Sequence, residues 1–149
     1  KQALDAGQIS QYISDFPTPE LIGMAGVMAT PHLGASTAEA EENCAVMVAD
    51  QMLDFLQNGN IVNSVNFPGV YLERSKEGCR IAITNHNVPR ILGSVLSILA
   101  DHDINVIDML TKSRQEVAYN LIDVETEVSS DLETEIGEIE GVINVRMFN

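Results

Sequence analysis

The sequence predicts an α+β fold, and two observations carry that prediction. The second half runs strand, helix, strand, strand, helix, strand from Cys79 to the C-terminus. The first half holds a helix end, two short strands and one long amphipathic helix, a set that does not close a layer by itself. Composition permits a core. Hydrophobic residues make up 45% of the 149, and no apolar run approaches the ~18 residues of a membrane span. The opening "KQALDAGQIS" is amphipathic and lacks the apolar stretch of a secretory signal, so a cytoplasmic location is expected.

In order, "KQALDAGQ" reads as the last turns of a helix, with Gly7 as its stop. "ISQYISDF" and "GVMAT" read as strands, separated by a loop containing Pro17 and Pro19. From Ser36 the period becomes helical. Ser36 with Glu39 fits a capping box, and Cys44, Met47, Val48, Met52, Phe55 and Leu56 form an apolar stripe that ends at "NGN". Cys44 on that stripe is expected to be buried filler. "IVNSVNFPGV" carries a proline and predicts an edge strand or strap, and "LERSKEG", Leu72 to Gly78, predicts a charged linker.

Beyond the linker, "CRIAIT" is a strand and "NHNVP" a loop, with Pro89 suited to the first turn of the next helix. Leu92, Val95, Leu96 and Leu99 then recur at helical spacing. "INVIDMLTK" and "EVAYNLIDVE" form a hairpin about Ser113 to Gln115. "SSDLETEIGEIEG" is a helix burying Leu132, Ile136 and Ile139, and "VINVRMF" is a last strand. This order is that of a ferredoxin-like βαββαβ sandwich.

Charge excludes some partners. Eight Lys and Arg against 22 Asp and Glu leave a net charge of −14, which repels nucleic-acid phosphates and acidic membranes. Cys44 and Cys79 show no metal-binding spacing, and the acidic run Asp131 to Glu140 has no calcium-loop pattern, so no metal is expected. The ten glycines are scattered and spell no GxGxxG phosphate loop. The stretch "ATPHLGAST" stands out. Its proline ends a strand and leaves His32 just past the strand end, where α/β enzymes often place reactive groups. From the residues alone His32 is either such a group or a turn histidine. His86 is expected exposed in its loop and His102 solvated after a helix end.

"ATPHLGAST", "EAEENCA" and "NGNIVNSVNFPGV", leading into a terminal βαββαβ unit, closely resemble the C-terminal part of the bacterial D-3-phosphoglycerate dehydrogenases, and the terminal unit resembles their regulatory ACT domain. The resemblance implies three pieces: residues 1–34 as the tail of a nucleotide-binding domain, 35–77 as a returning segment of a substrate domain with linker, and 78–149 as the ACT domain. It implies NAD as cofactor and 3-phosphoglycerate as substrate for the parent enzyme, this chain alone being inactive. His32 takes the role of the acid/base that accepts the hydroxyl proton, with Glu20 as the carboxylate beside it and Asp15 as second choice. It further implies L-serine as effector, held by Asn85, Asn87 and Asn105 at the interface of a homodimer or larger homo-oligomer. Arg90 stands where relatives usually have glycine. A stand-alone amino-acid sensor and a purely structural dimerisation module are the alternatives.

Overall fold

The computed structural model describes residues 1–75 and 78–148, arranged as two compact units, Lys1–Met47 and Val48–Asn149. Among the described residues no helix is long and apolar enough to cross a membrane.

The first unit holds α1 (Gln2–Asp5), β1 (Tyr12–Ser14), β2 (Val27–Ala29) and the opening turns of α2 (Ala38–Asn58). β1 and β2 pair in parallel, with Tyr12 opposite Val27 and Ser14 opposite Ala29. The Thr30 N–H donates to the Ser14 carbonyl at 3.1 Å and carries the ladder one residue further. Residues 15–26 connect the strands through turns alone, as Pro17 and Pro19 leave no room for a crossover helix. No residue of this unit is fully buried.

The start of α2 differs from the expected capping box. The helix begins at Ala38, and the Thr37 hydroxyl, not that of Ser36, accepts the Ala40 N–H at 3.2 Å. Ser36 is held in the preceding turn by its own N–H, which donates to the Leu33 carbonyl at 2.6 Å. Cys44 is exposed, contrary to its expected burial, because α2 buries none of its residues.

In the second unit the end of α2 is tied down. A helix leaves its last four carbonyls without internal partners and collects partial negative charge there. Three arginines meet them. Arg146 donates to the carbonyls of Phe55 and Leu56, Arg74 to that of Gln57, and Arg80 to that of Asn58 at 2.9 Å. The following segment is a strap closed by one antiparallel bridge, Ile61 to Val70. The expected linker is anchored over its first part: Leu72 donates its N–H to Asn60, and the Ser75 N–H donates to Asp123. Lys76 and Glu77 lie outside the described residues.

The βαββαβ expectation holds. β3 (Cys79–His86), α3 (Ile91–Asp101), β4 (Val106–Arg114), β5 (Val117–Val124), α4 (Ser130–Gly137) and β6 (Val142–Phe148) form an antiparallel sheet in the order β4-β5-β3-β6. One face packs Ile81, Ile83 and Ile122 against Val95 and Leu99 of α3 and Leu132 and Ile136 of α4. The other packs Ala82, Tyr119, Leu121 and Phe148 beneath Ile61 and Val70 of the strap. With both faces covered, β3 and β5 read as nearly continuous apolar runs.

The charged exception on β3 and β5 is one cross-strand pair. Arg80 and Asp123 lie opposite each other, fully buried, with Nε to Oδ1 at 2.6 Å and Nη2 to Oδ2 at 2.8 Å. Arg80 Nη1 donates to the carbonyls of Asn58 and Leu72, both at 2.9 Å. A buried pair repays its desolvation only when its remaining hydrogen-bonding groups are met, as they are here.

Candidate functional site

The parallel pairing of β1 and β2 builds the first candidate site. It sets Asp15 and Phe16, just past β1, beside Pro31 and His32, just past β2. His32 takes a left-handed backbone, φ 48°, unusual for a residue with a side chain. Its ring centroid lies 3.9 Å from that of Phe16, and Nδ1 lies 3.6 Å from Asp15 Oδ2. Both side chains of the pair are about half exposed. The Thr30 hydroxyl, two residues before His32, is closed from solvent and has no hydrogen-bond partner among the described residues. The structure therefore brings Asp15 to His32, where Glu20 was the first expectation. Glu20 makes no ion pair among the described residues, because it sits further along the turn-rich loop while Asp15 directly follows the strand. An imidazole with a carboxylate at Nδ1 and Nε2 unpartnered is the arrangement in which histidine exchanges a proton with an external hydroxyl.

The three asparagines of the second candidate site are not equivalent. Asn85 is buried near the end of β3. Its Nδ2 donates to the His86 carbonyl and its Oδ1 accepts from Asn120 Nδ2, both at 2.7 Å. Asn120 also donates to the Ile83 carbonyl at 3.2 Å. The Asn85 amide is thus committed to the sheet, a departure from its expected role as a free ligand group. Asn87 is exposed. Its backbone N–H and Nδ2 donate to the carbonyls of Glu116 and Gln115, which fastens the loop to the β4–β5 turn and leaves Oδ1 without a partner. Asn105, just before β4, is exposed and donates to Glu125 at 2.9 Å.

Register separates these groups. Cys79 and Val106 both lie opposite Val124, so Asn105 sits at the start of β3 and Asn85 near its finish. At ~3.3 Å per residue the two are roughly 20 Å apart within one chain.

α3 starts later than Pro89 suggests. Arg90 is its N-cap, in a left-handed conformation, φ 80°, that favours glycine. A cavity of about 580 Å³ opens beside this cap, lined by His86, Arg90, Ser94, Ile139, Glu140 and Gly141 among others. His86 is exposed at the end of β3, and exposed His102 meets Glu135 at 2.8 Å instead of being simply solvated. Asp15, Asn120 and His86 are the site residues that sequence reasoning ranked low or passed over. Asp15 stands as second choice and His86 as an exposed loop residue, while the signal of Asn120 is that it interrupts the apolar run "VAYNLI".

A sheet in this order with both helices on one face is a ferredoxin-like sandwich, here with a polar loop at the entry to the first helix. The sequence model of the ACT domain family matches residues 80–144, and these residues form an ACT domain. Over a longer span, the chain resembles the C-terminal part of D-3-phosphoglycerate dehydrogenases. It is 36% identical over 121 residues to the D-3-phosphoglycerate dehydrogenase of Haemophilus influenzae, covering 81% of this chain and 30% of that protein. It is 31% identical over 137 residues to D-3-phosphoglycerate dehydrogenase 1 of Saccharomyces cerevisiae, covering 87% and 29%. Against the D-3-phosphoglycerate dehydrogenase of Escherichia coli K12 the identity is 32% over 114 residues, covering 76% and 28%. The chain spans less than a third of the length of these curated relatives.

Proposed function

We propose that the chain acts as the regulatory C-terminal part of an NAD-dependent D-3-phosphoglycerate dehydrogenase, with L-serine as the effector of its ACT domain. The observation that carries this reading is the match to dehydrogenases across more than three quarters of the chain, reaching well outside the ACT domain. In this reading residues 1–34 are the tail of a nucleotide-binding domain, 35–77 a returning segment of a substrate domain, and 78–149 the effector domain of a cytoplasmic enzyme. His32 accepts the hydroxyl proton of 3-phosphoglycerate through Nε2, and Asp15 stabilises the imidazolium from Nδ1. The residues present do not fit NAD. The chain between β1 and β2 offers no helix N-terminus and no glycine-rich turn for a pyrophosphate. The 149-residue chain alone is therefore expected neither to bind NAD nor to turn over substrate.

The effector site follows from the edge of the sheet. β4 is an outer strand, and Ile107 and Met109 on it are exposed. Two copies pairing their β4 strands antiparallel about a two-fold axis bring Asn105 of one to the end of β4 where Asn87 of the other is fastened. Serine would then meet the free Oδ1 of Asn87, the partner subunit's Asn105 and the open N–H groups of the first turn of α3. The amide oxygens take its ammonium and the helix end its carboxylate. A neutral zwitterion suits a protein of net charge −14 better than an anion does.

Titration calorimetry with L-serine on the 149-residue chain tests this. Binding at or below millimolar concentration is expected. Asn87→Ala should weaken it about ten- to a hundred-fold, corresponding to the ~1–3 kcal/mol of an unpaired buried partner. Absence of heat and of thermal shift at millimolar serine would overturn the effector reading. It would favour the second one, ligand-free assembly through the β4 edge, for which exposed Ile107 and Met109 speak.

A further inference from the structure

A separate cavity of about 320 Å³ lies in the C-terminal unit between the end of α2, the strap and the sheet face beneath it. None of the effector asparagines lines it. Its walls come from three elements. The Tyr119 hydroxyl is pinned to the Gly59 carbonyl at 2.7 Å, and Phe67 stands edge-on to the Tyr119 ring, centroids 6.1 Å apart at 82°. These two rings form part of the cavity wall, next to the place where Ile61 and Val70 of the strap pack on the sheet. Met52 and Phe55 of α2 flank the opening and are exposed.

The chemistry of the lining is selective. No ionisable group except the Tyr119 phenol faces the cavity, and burial pushes that phenol up to about 12, so it stays neutral at working pH. Asn60 donates to Asp54 of α2 and accepts from the Leu72 N–H, while Ser64 donates to Asn66 and accepts from the Phe67 N–H, so both side chains are already engaged. The side chains of Gln51 and Thr84 have no hydrogen-bond partner among the described residues, so one amide and one hydroxyl remain at an otherwise apolar surface. Ligand pockets of this kind start at ~300 Å³ and combine an apolar wall with a few oriented polar groups. We propose that this cavity binds an uncharged, mainly apolar small molecule of one or two rings bearing a single hydrogen-bonding group.

Nuclear magnetic resonance titration of the 149-residue chain with 2-naphthol, a neutral two-ring probe with one hydroxyl, tests the site. Saturable shifts at Thr84, Phe67 and Tyr119 are expected, with a Kd of tens to hundreds of micromolar, ordinary for a ligand of that size. 2-Naphthoate, carrying a carboxylate on the same rings, should bind at least ~10-fold more weakly, since a buried unpaired charge is costly. Thr84→Val should weaken 2-naphthol about 3- to 10-fold. Val48→Trp, at a half-exposed position that tolerates bulk, should block the opening and abolish saturation. Leu53→Glu with Leu56→Glu changes exposed apolar residues of the same helix outside the lining and should leave binding intact. Equal affinity for the naphthoate, or loss of binding in the Leu53/Leu56 variant alone, would make the probe a surface binder and overturn the proposal. So would absence of shifts at millimolar probe, or binding that disappears as chain concentration rises, which would mean that a second copy fills the cavity.

Discussion

Residues 1–47 contain no fully buried side chain, whereas residues 59–148 enclose an ion pair and two apolar clusters. Both regions have strands and helices, so secondary structure does not make the difference. Layers do. The sheet β4-β5-β3-β6 is covered by α3 and α4 on one face and by the strap on the other, and its middle strands lose contact with water on both sides. β1 and β2 make a two-stranded ribbon, and two strands cannot support a core by themselves. The contrast also separates the candidate sites. His32 and Asp15 are held by a local strand register, while Asn87 is held by a closed sheet.

The largest effect should come from the buried pair. Arg80→Ala leaves Asp123 charged and unpaired and removes donors from the end of α2, and should cost about 3–5 kcal/mol in urea unfolding. The paired replacement Arg80→Met with Asp123→Leu should recover most of that loss. A cost-free Arg80→Ala would mean that the C-terminal unit is not closed as described. Next, Leu132→Ala should cost about 2–5 kcal/mol. Ile13→Ala in the first unit, at 60% exposure, should stay within about 0.5 kcal/mol. Equal losses at the two positions would erase the comparison.

Tyr119 gives a pH-dependent probe of the same closure. Burial raises its phenol to about 12, from an ordinary value of 10.0. The folded state keeps the proton longer than the unfolded chain does. The resulting stability is present in full below pH 10 and is lost as pH rises toward 12, at up to about 1.4 kcal/mol per pH unit. Tyr119→Phe should flatten that part of the stability profile. The smallest effect is expected at the exposed pair of the first unit: Asp15→Asn should change thermal stability by less than about 0.5 kcal/mol.

Where sequence and structure agree, the pattern is one of burial. Strands β3 to β6 and helices α3 and α4 were legible because Ile81, Ile83, Leu99, Leu121, Leu132 and Ile136 repeat at the periods that two-sided packing imposes. Disagreements fall where a single hydrogen bond decides. Thr37 displaces Ser36 as cap of α2 because the turn claims Ser36. The resemblance makes Asn85 a ligand group, and the local sequence does not show that Asn120, on a strand 35 residues away, donates to its Oδ1. Asp15 displaces Glu20 beside His32 because strand pairing, which the local sequence does not state, sets which residues lie side by side. The left-handed cap at Arg90 is signalled only by the resemblance, in which relatives usually have glycine at this position, the residue that conformation favours.

The proposed site joins Asn87 of one chain to Asn105 of another, and a mixing experiment addresses that directly. Asn87→Ala and Asn105→Ala chains should each bind L-serine about ten- to a hundred-fold more weakly than wild type. When the two are mixed and allowed to exchange, each mixed dimer carries one site with both mutations and one with neither. Random pairing makes about half the dimers mixed, so calorimetry should recover about a quarter of the wild-type sites at wild-type affinity. Recovery near that level supports a serine site shared across a two-fold axis. A mixture of fully exchanged chains that binds no better than the separate variants would contradict it.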